Sequence, residues 1–132
     1  MLASDDSRAE FQPGFVLSST EPPVWLEFEA DFQGDAVPSN LRVMVESQAT
    51  TPGIEIEIEV WNFTTMAFES IISKNESFNQ DELIVSDLSD GIADYIEQST
   101  LDTRFRVGWR QTGFVLNFPW RINIDQVAIS VN

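Results

Sequence analysis

Two tryptophans lie in stretches where every second residue is acidic, and this spacing suits the binding of a sugar. In an extended strand, alternate side chains share one face, so Trp25 and Trp61 stand among carboxylates rather than in the core. An exposed indole can stack on the apolar face of a sugar ring, while carboxylates accept hydrogen bonds from the hydroxyl groups of the sugar. The same rings could instead pack under a loop, cover an interface or lie against the other sheet's edge, since large aromatic side chains are often partly buried.

The arginines form a second group with recognisable chemistry. Four of the seven basic residues are Arg104, Arg106, Arg110 and Arg121. An anion-binding site would need unpaired arginines, which a net charge of −15 disfavours. We therefore interpret them as partners of the acidic strand faces, each cross-strand pair contributing roughly 0.2–1 kcal/mol.

Composition removes several classes of function. The chain has no histidine and no cysteine, which excludes a Ser-His-Asp triad, a His-ligated zinc site and thiol chemistry. With 22 Asp and Glu residues some carboxylates will lie close together by chance, but no long insertion is visible that would form a substrate cleft. We expect a protein that is not an enzyme and that has no catalytic residues.

The charge balance also limits the partners. Seven Lys and Arg residues against 22 Asp and Glu argue against nucleic-acid binding, which requires cations to neutralise phosphates. The same balance argues against docking to anionic membranes, and no stretch reaches the roughly 18 apolar residues of a membrane span. Met1-Leu2-Ala3 is too short and uncharged for a signal peptide.

The stretch 54–62 sets the fold class. Ile54, Ile56, Ile58 and Val60 alternate with acidic residues, which predicts a half-buried strand near the middle of a sheet. Similar alternation recurs along the chain, and Trp109 and Trp120 share faces with apolar residues, so they are assigned to the core. Strands are expected over these ranges: 25–32, 41–48, 54–62, 66–73, 83–88, 101–111 and 120–131, with a broken edge strand in 11–19.

Three local features refine this pattern. Thr51-Pro52-Gly53 is turn-like, which predicts a hairpin between the strands on either side. The apolar phase of the last strand changes from even to odd, which predicts a β-bulge at Asp125–Gln126. Residues 90–98 carry the one helical signal, predicted as one or two turns.

These elements predict a single all-β domain over residues 1–132, with a polar N-terminal segment at 1–8. About eight or nine short, regularly spaced strands are typical of an antiparallel β-sandwich. A jelly roll is the favoured architecture, and an immunoglobulin-like sandwich is the alternative.

Several segments resemble a recurrent, uncharacterised accessory domain of large secreted bacterial proteins, which is jelly-roll-like and similar to carbohydrate-binding modules. The segments that carry the resemblance are 4–8, 51–54, 60–62, 104–113 and 118–127. The resemblance implies an extracellular or cell-surface setting and contact with a glycan or with neighbouring domains of a larger protein. It brings no catalytic residues.

A structural calcium is a further expectation. In jelly rolls of this kind the first and last strands are often neighbours that a calcium ion clips together. Asp5, Asp6 and Asp125 could supply carboxylates for it, and the bulge would free a carbonyl, since calcium takes six to eight oxygen ligands. The same aspartates could equally form a solvated terminus and a turn acceptor.

The sequence therefore predicts a non-catalytic accessory or binding module, carbohydrate-binding with a structural calcium. The alternative is a structural subunit of an extracellular fibre, sheath or surface layer that assembles through strand edges.

Overall fold

The computed structural model describes residues 9–11, 24–31, 38–112 and 120–131. Within these ranges eight strands form two antiparallel four-stranded sheets, which confirms the predicted all-β sandwich. The strands are β1 (Ala9–Phe11), β2 (Val24–Asp31), β3 (Leu41–Ala49), β4 (Ile54–Asn62), β5 (Ala67–Asn75), β6 (Glu82–Leu88), β7 (Asp102–Gln111) and β8 (Ile122–Val131). The N-terminal segment 1–8 and most of the stretch 11–19 lie outside the described residues.

The strand order follows a jelly-roll pattern. Sheet A has the order β1-β8-β3-β6, and sheet B has the order β2-β7-β4-β5. Successive strands alternate between the two sheets except where β4 and β5 pair directly as a hairpin. This double winding places the apolar face of each sheet against that of the other.

The period-two pattern of β4 is what builds the core. Ile54, Ile56, Ile58 and Val60 are at most 1% exposed, and β4 lies between β7 and β5 as the pattern predicted. Each such side chain stabilises the fold by roughly 1.5–3 kcal/mol through removal from water. Trp109 and Trp120 are also fully buried in the described core, which confirms their assignment.

The predicted hairpin between β3 and β4 is wrong. β3 pairs with β8 and β6, whereas β4 pairs with β7 and β5. The turn at Thr51-Pro52-Gly53 carries the chain from sheet A to sheet B. Apart from Ser47 in β3 and Asn62 at the end of β4, both strands have an apolar inward face. Facing sheets bury these two faces against each other, whereas a hairpin would place them side by side.

The predicted bulge in the last strand is confirmed. Glu46 pairs with Gln126 but the next residue, Ser47, pairs with Ile124, so the strand register skips Asp125. One extra residue in β8 returns the apolar side chains to the core after the change of phase.

A single 3₁₀ turn at Ile92–Tyr95 corresponds to the predicted helical turn at 90–98. The Tyr95 hydroxyl donates to Glu69 Oε2 at 2.6 Å, which ties the turn to β5. Thr103 Oγ1 in β7 donates to the Tyr95 carbonyl at 2.9 Å. In the part of the chain that the structure describes, no helix has the length and apolar character needed to cross a membrane.

The Tyr95 contact predicts an unusual alkaline titration. The carboxylate of Glu69 and partial burial raise the pKa of Tyr95 from 10.0 to about 12. Tyr95 is the only tyrosine, so tyrosinate absorbance reports it alone. We expect a midpoint near 12 while circular dichroism shows a folded protein, and a lower midpoint in Glu69→Gln. A midpoint near 10 in the folded wild type would contradict the contact. Because the folded pKa is raised, stability falls as pH rises above about 10.

Candidate functional site

The outward face of sheet B carries most of the residues with recognisable chemistry. Directly paired residues of adjacent strands point to the same side, so the register alone assembles this surface. We call it the ladder face. Its members are Trp25, Glu27 and Glu29 of β2, Arg104, Arg106, Gly108 and Arg110 of β7, Glu55, Glu57, Glu59 and Trp61 of β4, and Phe68 and Ser73 of β5.

Glutamates and arginines alternate across the strands and form ion pairs. Arg104 Nη2 lies 2.7 Å from Glu27 Oε1, and its Nε lies 3.2 Å from Glu29. The other pairs join β7 to β4: Arg106 contacts Glu59 through Nε, and Arg110 Nη2 lies 2.6 Å from Glu55 Oε1. The interpretation of the arginines as partners of the acidic faces is confirmed for these three.

The aromatic rings lie between the ion pairs. The Arg106 guanidinium sits between two rings, with its Cζ 4.1 Å from the Trp25 centroid and 4.2 Å from the Phe68 centroid. Arg104 lies over Trp61 at 5.2 Å, and Trp61 meets Phe68 edge-on at 5.0 Å. The rings and guanidinium groups therefore hold one another in fixed positions on the surface.

Trp25 depends on a glycine for its position. A Cβ atom placed on Gly108 would lie 2.6 Å from Cε3 and Cζ3 of the indole, which is far inside van der Waals contact. The six-membered part of the indole therefore rests directly on the backbone of β7. No larger residue at position 108 would leave the ring where it is.

The structure places both sequence-predicted tryptophans on the ladder face, each half-buried. Their role in ligand binding stays a prediction. Phe68 was missed because the alternation in its strand is weak. The register of β5 against β4 shifts between Ile58 and Glu59, so parity counted along the sequence does not give the face.

Two polar groups on this face have spare hydrogen-bonding capacity. Glu57 accepts no hydrogen bond and forms no ion pair with the described residues, and its cross-strand neighbours are Gly108 and Ser73. The terminal nitrogens of Arg106 likewise donate to none of the described residues, since its contact to Glu59 uses Nε. A free acceptor and free donors therefore lie on adjacent strands beside aromatic rings, which suits a ligand rich in hydroxyl groups.

Of the three aspartates proposed for calcium, one lies within the described residues. Asp125 is 8% exposed and lies at the bulge of β8, while Asp5 and Asp6 lie outside the described residues. β1 pairs with β8, with Ala9 opposite Ile124, so the first and last described strands are neighbours as expected. Within the described ranges no group of three acidic side chains is placed to hold a metal ion.

A buried carboxylate that the sequence gave no sign of lies at one end of the sandwich. Glu76 follows β5 and is 7% exposed. Its Oε2 accepts hydrogen bonds from Ser47 Oγ and Trp109 Nε1, both at 2.7 Å, and its Oε1 accepts the Ser77 amide at 2.8 Å. Burial raises the pKa of Glu76 above its ordinary 4.5, although these hydrogen bonds act in the opposite direction. Glu76 links both sheets and the loop that joins them.

Comparison with known proteins gave matches in structure only. No protein-family model and no curated protein sequence matches the chain. A xylan-binding module, CBM15, superimposes with a TM-score of 0.60 at 12% identity, covering 98% of this chain and 81% of that one. A CBM4 module gives a TM-score of 0.57 at 12% identity, covering 97% and 73%. The VP2 subviral particle of infectious bursal disease virus gives 0.52 at 14% identity, covering 99% and 31%. The TM-scores show a shared fold, and at these low identities the likeness shows the fold alone.

Proposed function

We propose that this chain is a non-catalytic carbohydrate-binding module of a secreted or cell-surface bacterial protein, and that a glycan lies across the ladder face. The observation that carries the proposal is the placement of the Glu57 carboxylate and the Arg106 Nη groups, none of which has a hydrogen-bond partner among the described residues, beside half-buried rings. The hydroxyl groups of a sugar both donate and accept hydrogen bonds, and the sugar ring itself has apolar surface. Two of the similar structures are carbohydrate-binding modules, which supports this use of the fold.

In this proposal the sugar does not stack on a fully exposed aromatic ring. One side of Trp25 rests on Gly108 and Arg106 lies over the ring, so a sugar contacts the exposed part of the indole and the Nη groups of Arg106. Because neighbouring rings and carboxylates already hold these groups, little side-chain entropy is lost on binding.

The test is binding to a broad glycan array, followed by titration of any hit with variants. We expect Trp25→Ala and Trp61→Ala each to weaken binding by about tenfold, equivalent to about 1.4 kcal/mol. Phe78→Ala is the matched control, since Phe78 is also an exposed aromatic residue but lies between β5 and β6. Absence of binding to every glycan, or equal losses in all three variants, would reject the proposal.

Calcium remains part of the proposal as a structural ion near the bulge of β8. It would use Asp125 together with Asp5 and Asp6, and it would supply a link between the N-terminal segment and the last strand. Thermal unfolding measured once with calcium and once with a chelator tests it. A higher midpoint with calcium that disappears in Asp125→Asn supports the ion, and equal midpoints reject it.

A structural subunit that assembles through strand edges is the second candidate. It is favoured by the likeness to a viral particle protein and by the outward apolar side chains of β6, Leu83 and Val85, which are 51% and 41% exposed. β6 is the last described strand of sheet A, so its outer edge has no partner among the described strands. Light scattering discriminates the two, because assembly predicts polymers and a binding module predicts a monodisperse monomer.

A further inference from the structure

The arginine ladder of β7 is interrupted at one position, and this gap leaves one carboxylate without a partner in the described part of the chain. Arginine occupies positions 104, 106 and 110, but glycine stands at 108. Glu55 and Glu59 pair with Arg110 and Arg106, whereas Glu57 lies opposite Gly108. The side chain that fills the space over Gly108 is the uncharged indole of Trp25. Glu57 therefore has no ion pair with the described residues, whereas its neighbours Glu55 and Glu59 on the same strand face each have one.

The row that contains Glu57 has the components of a site for a cationic group. Trp25, Gly108, Glu57 and Ser73 lie in register across four strands. The indole rests on β7, so it lies about one strand spacing, ~4.8 Å, from the strand that carries Glu57. A carboxylate with no partner among the described residues is suited to an ammonium group, with which it forms a charge-assisted hydrogen bond. The Trp25 ring is covered by Arg106 on one side and by Gly108 on the other, so it offers its exposed part to the apolar surface of the sugar and not to the ammonium group. Ser73 does not compete for that charge, because its hydroxyl donates to Glu55.

The net charge of the ladder face also favours a cationic ligand. The residues named as the ladder face include five glutamates and three arginines, an excess of two negative charges, and the register adds the acidic pair Asp31 and Asp102 at the same side of the sheet. The chain as a whole carries −15. Each of the three arginines already contacts a glutamate. An anionic sugar would therefore meet a repulsive field, while a cationic sugar would be attracted at ordinary salt over a distance of about 8–10 Å.

We infer that the glycan recognised at this face carries free amino groups, as in oligosaccharides of glucosamine, and that Glu57 is the residue that selects it. The inference rests on the proposed function, because it names the sugar class for the same face. The ammonium group contacts Glu57, and the sugar ring lies along the exposed part of Trp25. Acetylation of the amine removes the charge and adds bulk, so it removes this selectivity.

The test uses three β-1,4-linked hexasaccharides that differ only at carbon 2, carrying an amine, an acetamide or a hydroxyl. Titration calorimetry is run at low salt, at a pH where the free amine is protonated. We expect the amino hexasaccharide to bind about tenfold more tightly than the other two, and Glu57→Gln to abolish that difference. Glu55→Gln is the matched control, because Glu55 is paired with Arg110 and its loss leaves the preference in place.

Every other outcome contradicts the inference. Some of these outcomes reject only the selection of amino sugars, and others also reject glycan binding. Equal binding of all three sugars that is lost in Trp25→Ala keeps a glycan-binding module and rejects selection by charge. Binding to none of them rejects both. Displacement of the amino sugar by lysine hexapeptide at equal concentration shows attraction of any polycation and rejects recognition of a sugar. The melting midpoint of Glu57→Gln should equal or exceed that of the wild type, because Glu57 has no partner to lose among the described residues.

Discussion

Replacing Glu76 with alanine is expected to lower the free energy of unfolding by about 3 kcal/mol. The substitution leaves the indole N–H of Trp109, the hydroxyl of Ser47 and the amide of Ser77 without their acceptor. Trp109 and Ser47 are fully buried, so water cannot easily replace the carboxylate. Each buried donor left unsatisfied costs about 1–3 kcal/mol, and relief of the buried charge offsets part of the total.

Urea unfolding measures this loss, and a nearby glutamate gives the control. Glu82 pairs with Lys74 on the surface, where both side chains are about two-fifths exposed. Exposed pairs contribute about 0–1 kcal/mol, so Glu82→Ala should cost less than about 1 kcal/mol. Equal losses in the two variants would show that the buried hydrogen bonds of Glu76 contribute nothing particular.

The same residue predicts the direction of a pH dependence. The folded pKa of Glu76 is raised above its ordinary 4.5, so the folded state binds this proton more tightly than the unfolded state does. The contribution of Glu76 to stability is therefore greatest below about 4.5 and declines as pH rises through the folded pKa. Comparison of wild type with Glu76→Gln isolates the effect, because glutamine cannot titrate. A difference in stability that stays constant over this pH range would contradict the assignment.

Replacing Gly108 with alanine is expected to weaken glycan binding by about tenfold and to destabilise the fold by about 1–2 kcal/mol. The new methyl group would lie 2.6 Å from two carbon atoms of the Trp25 indole. The ring must move away from β7, because the methyl group is fixed to the backbone. Overpacking of this kind costs about 1–3 kcal/mol, reduced here because alanine is more favourable than glycine in a strand. The displaced ring no longer lies beside Glu57.

A second glycine separates the effect on the site from the effect on stability. Gly53 has a φ of +82°, and a Cβ added there would meet no atom within 4 Å, so Gly53→Ala introduces backbone strain of about 1–2 kcal/mol without touching Trp25. We expect both variants to lose similar stability in urea unfolding, while only Gly108→Ala loses glycan affinity. Unchanged affinity in Gly108→Ala, with altered tryptophan fluorescence, would remove Trp25 from the site.

The positions of the bulge and of the core side chains were determined by the sequence alone. The period of two in 54–62 requires a strand with one apolar face, since a helix would scatter those side chains around its axis. The change from even to odd apolar positions in β8 requires one extra residue, and Asp125 is that residue. The balance of acidic and basic faces was also predictable, because cross-strand pairs need only parity and opposite charge.

The choice of partner strand was decided only by the tertiary structure. Alternation fixes which side of a strand is buried, but it does not fix which strand lies beside it, and the expected hairpin of β3 with β4 was wrong for this reason. The unpaired state of Glu57 follows from its register against Gly108, and the burial of Glu76 follows from the meeting of three segments distant in sequence. Both depend on contacts between strands that no local pattern of residues encodes.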